Sequence, residues 1–404
     1  MSTGPAATTT RARREIGRYG DGTRGPTVVV TGGIHGNEPA GVIAIERLID
    51  KLRSSGLRLE GEVIGLAGNT RALAARRRYL SRDLNRHWTS ADVRASLDRN
   101  REMGDDEDHE RRELLDAMRE ALSGAMRPVL FIDLHSTSGS TVPFAAISDV
   151  LRSRRLARAA GLPVVMGLEE ALEGSLLGYL TDMGHIGIAI EGGQHEDPDT
   201  PAHHEAAVWL ILAAAGCVAA EHVPDLPELR ATLAAATRGR PRVIEIRHRH
   251  AIAAEDHFVM EPGFGNFDRV RVGRVLARDR RGVIEAREDA VMMLPLYQAM
   301  GEEGFFLARE ISSGWLRFGA AMRRSGIDRR LAWLPGVHRD PAHRDRYLVS
   351  RRAAGPLRRG VLHTLGYRFE RDAGDLVRFA RRRPDALGLA PLPDELTRLF
   401  ASGR

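Results

Sequence analysis

The sequence predicts an α/β fold in which a mixed, mainly parallel sheet is flanked by helices, followed by a small all-β module and a basic C-terminal tail. Through residues 27–220, short β-branched runs alternate with stretches of helical periodicity, which is typical of a sheet with helices on both faces. From Pro241 onwards, short strand-like runs separated by glycines replace this alternation. The length of 404 residues is enough for two or three domains.

The first predicted strand and helix enclose a glycine-rich loop. The run TVVVT at residues 27–31 predicts the strand, GGIHGNEPAG the loop, and apolar residues at helical spacing over 40–52 the helix. Thr200 and Pro201 are typical of an N-cap and a first helical residue, so a helix is expected from there to Ala220. Further strands are predicted over residues 61–66, 129–133, 142–147, 163–166 and 186–190.

These patterns divide the chain into four parts. Residues 1–25 are an N-terminal extension, and residues 26–238 are the α/β domain that would carry the site. Residues 239–312 are the small β module, and residues 313–404 are an Arg-rich C-terminal extension. No internal repeat is present in the sequence.

Composition restricts the kinds of site that the chain can build. Cys217 is the single cysteine, which excludes an intrachain disulfide and a Cys-rich zinc module, so any metal site must use His, Asp and Glu. The N-terminus has no apolar stretch typical of a secretory signal. The longest apolar run, Val208 to Ala220, is shorter than the roughly 20 residues of a membrane span. We expect a cytoplasmic protein.

The C-terminal extension carries the positive charge. The formal net charge is +6, and residues 321–404 hold 19 arginines against 9 acidic residues. Polyanion binding through this tail is one hypothesis, but acidic residues interrupt the arginines and few aromatics accompany them. We therefore predict a segment that packs on its own protein or on a partner subunit, with helices near Leu331 and between Arg368 and Arg383.

Two histidines and a glutamate could form a metal site. His35 and Glu38 lie three residues apart in the loop after a predicted buried strand, where glycines would let both side chains point to one atom. His135 follows the strand VLFID, and the carboxyl ends of parallel strands form the usual crevice. Two His and one Glu are the ligands of a catalytic zinc site with an open fourth position. Asp133 could orient an imidazole or simply end its strand.

Other polar residues could serve such a site. Glu191 follows the strand IGIAI, where it could be a general base or an ordinary strand-terminating residue. Arg78, Asn85 and Arg86 lie in RRRYLSRDLNR, where they could stabilise an oxyanion and hold a carboxylate, or form an Arg-rich surface loop.

Four ordered motifs carry a family resemblance. GGIHGNEPAG, RYLSRDLNR, DLHST and IAIEGGQHEDP resemble the succinylglutamate desuccinylase/aspartoacylase family of zinc-dependent amidohydrolases, which is related to the M14 zinc carboxypeptidases. The resemblance covers about residues 27–220, with a weaker match over 294–306. It implies a zinc-carboxypeptidase-like fold and one zinc ion per chain.

The resemblance also implies roles for individual residues. The implied zinc ligands are His35, Glu38 and His135, and the implied base that activates water is Glu191. Arg78 is the implied oxyanion stabiliser. The implied carboxylate binders are Asn85 and Arg86.

Two departures from the family pattern bear on the substrate. No arginine occurs between Ser175 and Ile190, where aspartoacylase-type members have one for a second carboxylate. The late substrate-contacting tyrosine is also absent from GEEGFF, although Tyr179 or Tyr297 could substitute. We therefore do not expect N-acetylaspartate or succinylglutamate as the substrate.

The predicted function is a zinc-dependent hydrolase that cleaves an amide bond of an N-acyl amino acid or a similar small carboxylate. Carboxypeptidase or ester hydrolysis at the same site is an alternative, as is a polyanion-binding protein that acts through the tail. A pseudoenzyme is disfavoured by the intact set of ligands and base. We expect a small acylated substrate, no specific nucleic acid and no membrane partner. The oligomeric state is left open, with a homo-oligomer as one alternative.

The remaining histidines are expected to play smaller parts. His195 is close enough in sequence to Glu191 to be an auxiliary polar contact. His248 and His250 share one strand face, but without a further ligand nearby we do not predict a second metal there. Surface or packing positions are expected for His185, His203 and His204.

Overall fold

The computed structural model shows an α/β protein with a large central sheet. It describes residues 13–22, 25–98, 103–123, 129–298, 301–325, 331–341, 343–350, 362, 365–373 and 375–381. The strands are β1 (Glu15–Gly20), β2 (Thr27–Gly32), β3 (Glu62–Ala67), β4 (Leu130–Thr137), β5 (Phe144–Ile147), β6 (Val164–Met166), β7 (Ile186–Gln194), β8 (Val243–Ala251), β9 (Val259–Met260), β10 (Arg269–Val270), β11 (Val275–Asp279), β12 (Gly282–Glu285), β13 (Ala290–Met293), β14 (Glu303–Glu310), β15 (Val337–Asp340), β16 (His343–Ser350), β17 (Tyr367–Ala373) and β18 (Leu376–Arg381). The helices are α1 (Ala40–Ser55), α2 (Thr70–Ala75), α3 (Ser90–Asp98), α4 (Asp106–Leu122), α5 (Leu151–Ala159), α6 (Leu168–Ala171), α7 (Leu176–Asp182), α8 (Thr200–Ala215), α9 (Leu226–Ala236) and α10 (Ser313–Ser325).

The central sheet has eleven strands in the order β1-β3-β2-β4-β7-β5-β6-β8-β14-β13-β10. The four neighbours β3, β2, β4 and β7 run parallel to one another. Next to them β5 is antiparallel to β7 and parallel to β6. The fold class predicted from the sequence, a mixed and mainly parallel sheet flanked by helices, is confirmed.

Helices cover both faces of this sheet because the buried strands are apolar on both sides. Along β2, Val28 and Val30 pack into a core with α1 and α8, whereas Val29 packs into a second core with α4 and α7. The predicted helix after the glycine-rich loop is α1, which ends where Gly56 adopts a left-handed conformation with φ of 61°. These two cores fix the carboxyl ends of β2, β4 and β7 at one edge of the molecule.

The predicted β module is continuous with the central sheet. Strand β8 pairs in parallel with β6, and β14, β13 and β10 extend the same sheet in antiparallel order. A separate three-stranded sheet contains β12, β11 and β9. At the other end of the chain, β1 pairs with β3, so part of the predicted N-terminal extension is an edge strand.

The C-terminal extension contains α10 and a four-stranded antiparallel sheet in the order β15-β16-β18-β17. The prediction of a helix between Arg368 and Arg383 is wrong. Most of this range belongs to strands β17 and β18, which pair as an antiparallel hairpin. The buried side chains of Val377 and Phe379 lie two residues apart, which is the period of a strand. Near Leu331 the predicted helix is only a single 3₁₀ turn over residues 331–333.

Among the described residues, no helix combines the length and the apolar character that a membrane crossing requires.

Candidate active site

The seven residues singled out in the sequence line one cavity at the carboxyl ends of the parallel strands. Its volume is about 150 Å³. Strand register explains the convergence, because Gly32 of β2 is level with Leu134 of β4, and His135 is level with Glu191 of β7. The seven residues are His35, Glu38, Arg78, Asn85, Arg86, His135 and Glu191.

Glycines shape the loop that carries His35 and Glu38. Gly33 has φ of 72°, a left-handed conformation that favours glycine. A Cβ atom on Gly36 would lie 2.0 Å from the carbonyl carbon of Ala72, so only glycine lets the loop approach α2 so closely. The amide of Gly36 also donates a hydrogen bond to the carbonyl of Arg78 at 3.1 Å. The loop is therefore held between β2 and the segment that carries the candidate arginine.

The three candidate ligands are buried and face one another. The Nδ1 atom of His35 lies 2.9 Å from Glu38 Oε1, and the Nδ1 atom of His135 lies 3.1 Å from Glu38 Oε2. Ligand atoms of all three side chains lie within 4.8 Å of one another. This group could hold a metal ion, and within the described part of the chain it is the one His/Cys/Asp/Glu group with such geometry.

An aspartate orients each imidazole from the side opposite to Glu38. The Nε2 atom of His35 lies 3.1 Å from Asp83 Oδ1, and that of His135 lies 2.9 Å from Asp133 Oδ2. Asp133 in turn accepts a hydrogen bond of 2.6 Å from the hydroxyl of Thr31. Metal-binding histidines in proteins commonly donate their second N–H to a carboxylate, which fixes the ring and leaves the other nitrogen for the metal.

The charges in this group depend strongly on one another. Burial raises the pKa of Glu38, but His35 and His135 outweigh it and hold this pKa well below its usual value. Burial lowers the pKa of His135, whereas Asp133 and Glu38 together raise it well above its usual value. Without a cation, the carboxylates therefore hold a proton on the imidazole, and a metal ion would replace that positive charge.

Glu191 differs from Glu38 in its surroundings. Its Oε2 atom is buried, and no hydrogen-bond donor for it is present among the described residues. Burial raises the pKa of Glu191 to about 7, which is suited to accepting and releasing a proton near neutral pH.

Arg78 lies between the ligand group and Asp83. It donates to Asp83 Oδ2 at 2.9 Å, and its second Nη atom is 3.5 Å from Glu38 Oε1. The side chain of Arg78 is only 12% exposed, so its guanidinium faces the cavity rather than bulk solvent. A fixed cation at this place can stabilise negative charge that develops on a bound carbonyl oxygen.

Asn85 and Arg86 are positioned by partners from other parts of the chain. Asn85 accepts a hydrogen bond from the amide of Leu176, which leaves its NH₂ group as the donor. Arg86 donates to Glu303 Oε2 at 2.8 Å, and Arg249 donates to the other carboxylate oxygen at 2.9 Å.

Three of these partners were not identified from the sequence. Asp83 lies within the motif RYLSRDLNR, among two arginines and an asparagine. This polar surrounding in the sequence could have identified it as a site residue. Glu303 is 217 residues from Arg86, and no local pattern joins them. Ser136, directly after His135, has its hydroxyl 2.8 Å from His195 Nδ1.

Four further histidines and the two candidate tyrosines lie outside the candidate ligand group, in packing or hydrogen-bonded positions. His203 contacts the carbonyl of Gly192 through Nδ1 at 2.8 Å, and the ring of His250 stacks on Phe305. Tyr179 is buried in the core of α4 and α7. The hydroxyl of Tyr297 donates to the carbonyl of Glu261. His185 and His204 are buried and do not line the cavity.

Comparison with known proteins agrees with the resemblance seen in the motifs. Residues 24–210 match the family described as succinylglutamate desuccinylase/aspartoacylase catalytic domain. This segment contains all seven candidate residues and the strands that position them. Residues 24–210 are therefore similar to the catalytic domain of this family.

Individual curated relatives match over part of their length. A probable aspartoacylase of Parasynechococcus marenigrum is 30% identical over 174 residues, which are 41% of this chain and 52% of the relative. An N-alpha-acetyl-L-2,4-diaminobutyric acid deacetylase of Halomonas elongata is 32% identical over 222 residues, which are 51% of this chain and 59% of the relative. The chain thus spans little more than half of these relatives.

Solved structures share the fold with this chain. A succinylglutamate desuccinylase/aspartoacylase from Rhodobacter sphaeroides superposes with a TM-score of 0.53 at 20% identity, covering 72% of this chain and 87% of that one. Murine aminoacylase 3 gives a TM-score of 0.51 at 19% identity, covering 72% of this chain and 97% of that one. At this identity the likeness establishes the architecture alone.

Proposed function

We propose that the protein is a zinc-dependent hydrolase that cleaves the amide bond of an N-acyl amino acid or a similar small carboxylate. The observation that carries the proposal is the buried group of His35, Glu38 and His135. It shares its cavity with Glu191, whose Oε2 atom has no hydrogen-bond partner among the described residues. The family and the names of its members, which include deacylating enzymes, support the same reaction class.

The donor atoms present fit zinc. Two imidazole nitrogens and one carboxylate are typical ligands of a catalytic zinc ion, and these three would hold it here. Asp83 and Asp133 would keep both rings oriented, since each lies on the Nε2 side while the Nδ1 atoms face Glu38. A bound zinc ion would supply Lewis acidity, which polarises a carbonyl and makes water more acidic.

The protein's own residues would complete the reaction. Glu191 would accept a proton from the attacking water and deliver it to the leaving nitrogen, which its raised pKa favours. Arg78 would stabilise the negative charge that develops on the former carbonyl oxygen. The NH₂ group of Asn85 and the guanidinium of Arg86 would bind the substrate's carboxylate, as amide and guanidinium donors commonly do. An ester with the same shape would react by the same steps.

A substrate screen tests this proposal directly. Zinc-loaded protein is incubated with a panel of N-acyl amino acids, and the released amine is measured. Elemental analysis should find about one zinc ion per chain, and His135→Ala should abolish both zinc binding and amine release. His222→Ala, at an exposed histidine, is the matched control and should retain both. Purified protein without stoichiometric divalent metal, under conditions that retain metals, would contradict the proposal.

A further inference from the structure

The cavity continues past Glu191 into an apolar region, which we call the apolar lobe. Its lining residues are Ala146, Ala189, Leu168, Leu177, Phe306 and Glu169. Ala189 precedes Glu191 by two residues on β7, so both side chains lie on the same face of the sheet, separated by about 6.6 Å along the strand. A substituent attached near the scissile bond could therefore extend along β7 into the lobe.

Small residues on the sheet create the lobe. Ala146 of β5 is directly opposite Ala189 of β7 in the antiparallel pair. Two methyl groups at these positions leave space above the sheet that longer side chains would fill. Ala189 is only partly buried although its strand lies in the middle of the eleven-stranded sheet. The exposed surface of Ala189 therefore belongs to the cavity.

Three apolar side chains from neighbouring elements form walls of the lobe. Leu168 lies at the start of α6, Leu177 lies on α7, and Phe306 lies on β14. Leu168 and Phe306 belong to the same buried cluster as Ala146. Binding of an alkyl group between these side chains would remove apolar surface from water, which is favourable in proportion to the area buried.

The charges near the lobe disfavour a second carboxylate. Arg78 and Arg86 are the only arginines or lysines among the described residues that line the cavity, and they pair with Asp83 and Glu303. Among the described residues that line the lobe, Glu169 is the one ionisable side chain, and one of the contacts of its carboxylate is a hydrogen bond from the hydroxyl of Ser148. A carboxylate that entered the lobe would meet the carboxylate of Glu169 and no arginine or lysine among the described lining residues.

We propose that the apolar lobe binds an uncharged aliphatic substituent of the substrate and that Glu169 rejects substituents that end in a carboxylate. This inference rests on the proposed hydrolase function and specifies its substrate class. The substrates would be N-acyl amino acids with an aliphatic acyl chain or side chain, rather than those with a second acidic group. Like charges brought together in a binding site cost enough free energy to determine specificity.

Two matched pairs of ligands test the proposal and show which part of the substrate enters the lobe. N-hexanoylglycine is compared with N-adipoylglycine, and N-acetylnorleucine with N-acetyl-2-aminoadipate. Each pair differs only in a terminal methyl or carboxylate group. Binding is measured by calorimetry on the zinc-loaded Glu191→Gln protein, which separates binding from turnover. In the pair that enters the lobe, the methyl-terminated ligand should bind at least about tenfold more tightly.

Substitutions in the lobe should change this preference in opposite ways. Glu169→Gln should improve binding of the carboxylate-terminated ligand and leave its partner within about twofold, whereas Glu173→Gln, at an exposed residue outside the lining, should change neither. Ala146→Leu should weaken the aliphatic ligand about tenfold or more and spare N-acetylglycine, because only the longer chain needs the filled space.

Equal or tighter binding of the carboxylate-terminated ligand in both pairs overturns the proposal. No measurable binding of either aliphatic ligand overturns it as well. The hydrolase function is tested separately. If the protein prefers the aliphatic ligands but releases no amine from any ligand, the proposal for the lobe is supported and the hydrolase function is rejected. Conversely, if only the acidic ligands are hydrolysed rapidly, the hydrolase function is supported and the proposal for the lobe is rejected.

Discussion

At the scale of single residues, the two glutamates of the cavity are distinguished by their hydrogen bonds. Glu38 lies within hydrogen-bond distance of two imidazoles and accepts from the amide of Ser136, so its negative charge is stabilised in place. Glu191 has a buried oxygen without such a donor among the described residues, and burial raises its pKa to about 7. A carboxylate that is easily protonated suits proton transfer, whereas one that stays ionised suits a cation.

Replacing Glu191 by glutamine should remove turnover and preserve zinc. The amide keeps the shape of the side chain but cannot accept the proton, so kcat should fall by roughly 10²–10⁴-fold. In the unsubstituted protein, the proposed activity predicts that kcat/KM rises with pH as Glu191 loses its proton. The midpoint should be at or below about pH 7, because a bound cation lowers this pKa. Steady-state kinetics and elemental analysis check both statements. Glu196→Gln, at an exposed neighbour, is the control, and near-normal turnover by Glu191→Gln would place the base elsewhere.

Asp133→Asn should weaken zinc binding and shift its pH dependence to lower pH. Burial lowers the pKa of His135, but Asp133 and Glu38 raise it well above its usual value, so the proposed zinc ion would have to displace the resulting proton. Without the Asp133 charge the pKa of His135 should fall, so protons compete less strongly with zinc for this imidazole. The ring, however, also loses the carboxylate that orients it. We expect zinc affinity at high pH to drop by about 10–100-fold. Competition with a chromophoric chelator across the pH range measures both effects, and an unchanged affinity at high pH would show that Asp133 does not orient the imidazole for zinc.

At the scale of elements, local patterns predict the strands that carry the site, but not the contacts between distant segments. The β-branched run that ends in Gly32 and the strand before His135 were both recognisable, because a buried parallel strand is apolar on both faces. The partner of Arg86 was not, since Glu303 lies on β14 and becomes its neighbour only when the sheet continues through β8. In the tail, arginines between apolar residues concealed the two-residue period of β18.

Glu303 should matter for substrate binding even though it is far from the motifs. Its carboxylate holds Arg86 on one oxygen and Arg249 on the other, which fixes the guanidinium where a substrate carboxylate would bind. Glu303→Gln removes the charge that orients both arginines. We expect KM to rise by about tenfold and kcat to change by much less, since uniform binding is lost. Glu302→Gln changes an adjacent, exposed residue and should leave both constants unaltered. A fall in kcat with KM unchanged would argue against a role in binding.

At the scale of the whole molecule, the C-terminal extension is attached to the α/β domain by a buried ion pair. Arg323 of α10 is 3% exposed and donates to the carbonyl of Asp149 at 2.9 Å as well as to its carboxylate. Leu316 of the same helix packs into the core that contains α1 and α8. The β-sheet that follows has its own buried cluster, with Tyr347, Val377 and Phe379 among its members. Apolar residues of the tail therefore pack against the α/β domain and within the tail's own sheet.

Arg323→Ala should destabilise the protein much more than Arg324→Ala. Removing one partner of a buried ion pair leaves an uncompensated charge, which typically costs about 3–5 kcal/mol, although the contact of Asp149 with Arg154 reduces that cost here. Arg324 is the next residue and is exposed, so its loss should change the free energy of unfolding by less than about 0.5 kcal/mol. Chemical denaturation of both variants gives the comparison. Equal effects would mean that α10 does not depend on this ion pair.

Nucleic-acid binding by the tail should be weak and non-specific. Residues 321–404 hold an excess of ten positive charges, which by itself would attract phosphates. However, the described part of this segment pairs arginines with acids, as Arg378 does with Asp340, and buries the apolar residues of its sheet. Scattered surface arginines give an attraction that salt screens, because the Debye length is about 8 Å at 0.15 M. Titration of duplex DNA and single-stranded RNA at about 150 mM salt should therefore show dissociation constants weaker than about 10⁻⁶ M, without sequence preference. Submicromolar affinity that disappears from a chain ending at Ala320, and that Arg324→Ala weakens without unfolding the protein, would instead assign the tail to a polyanion partner.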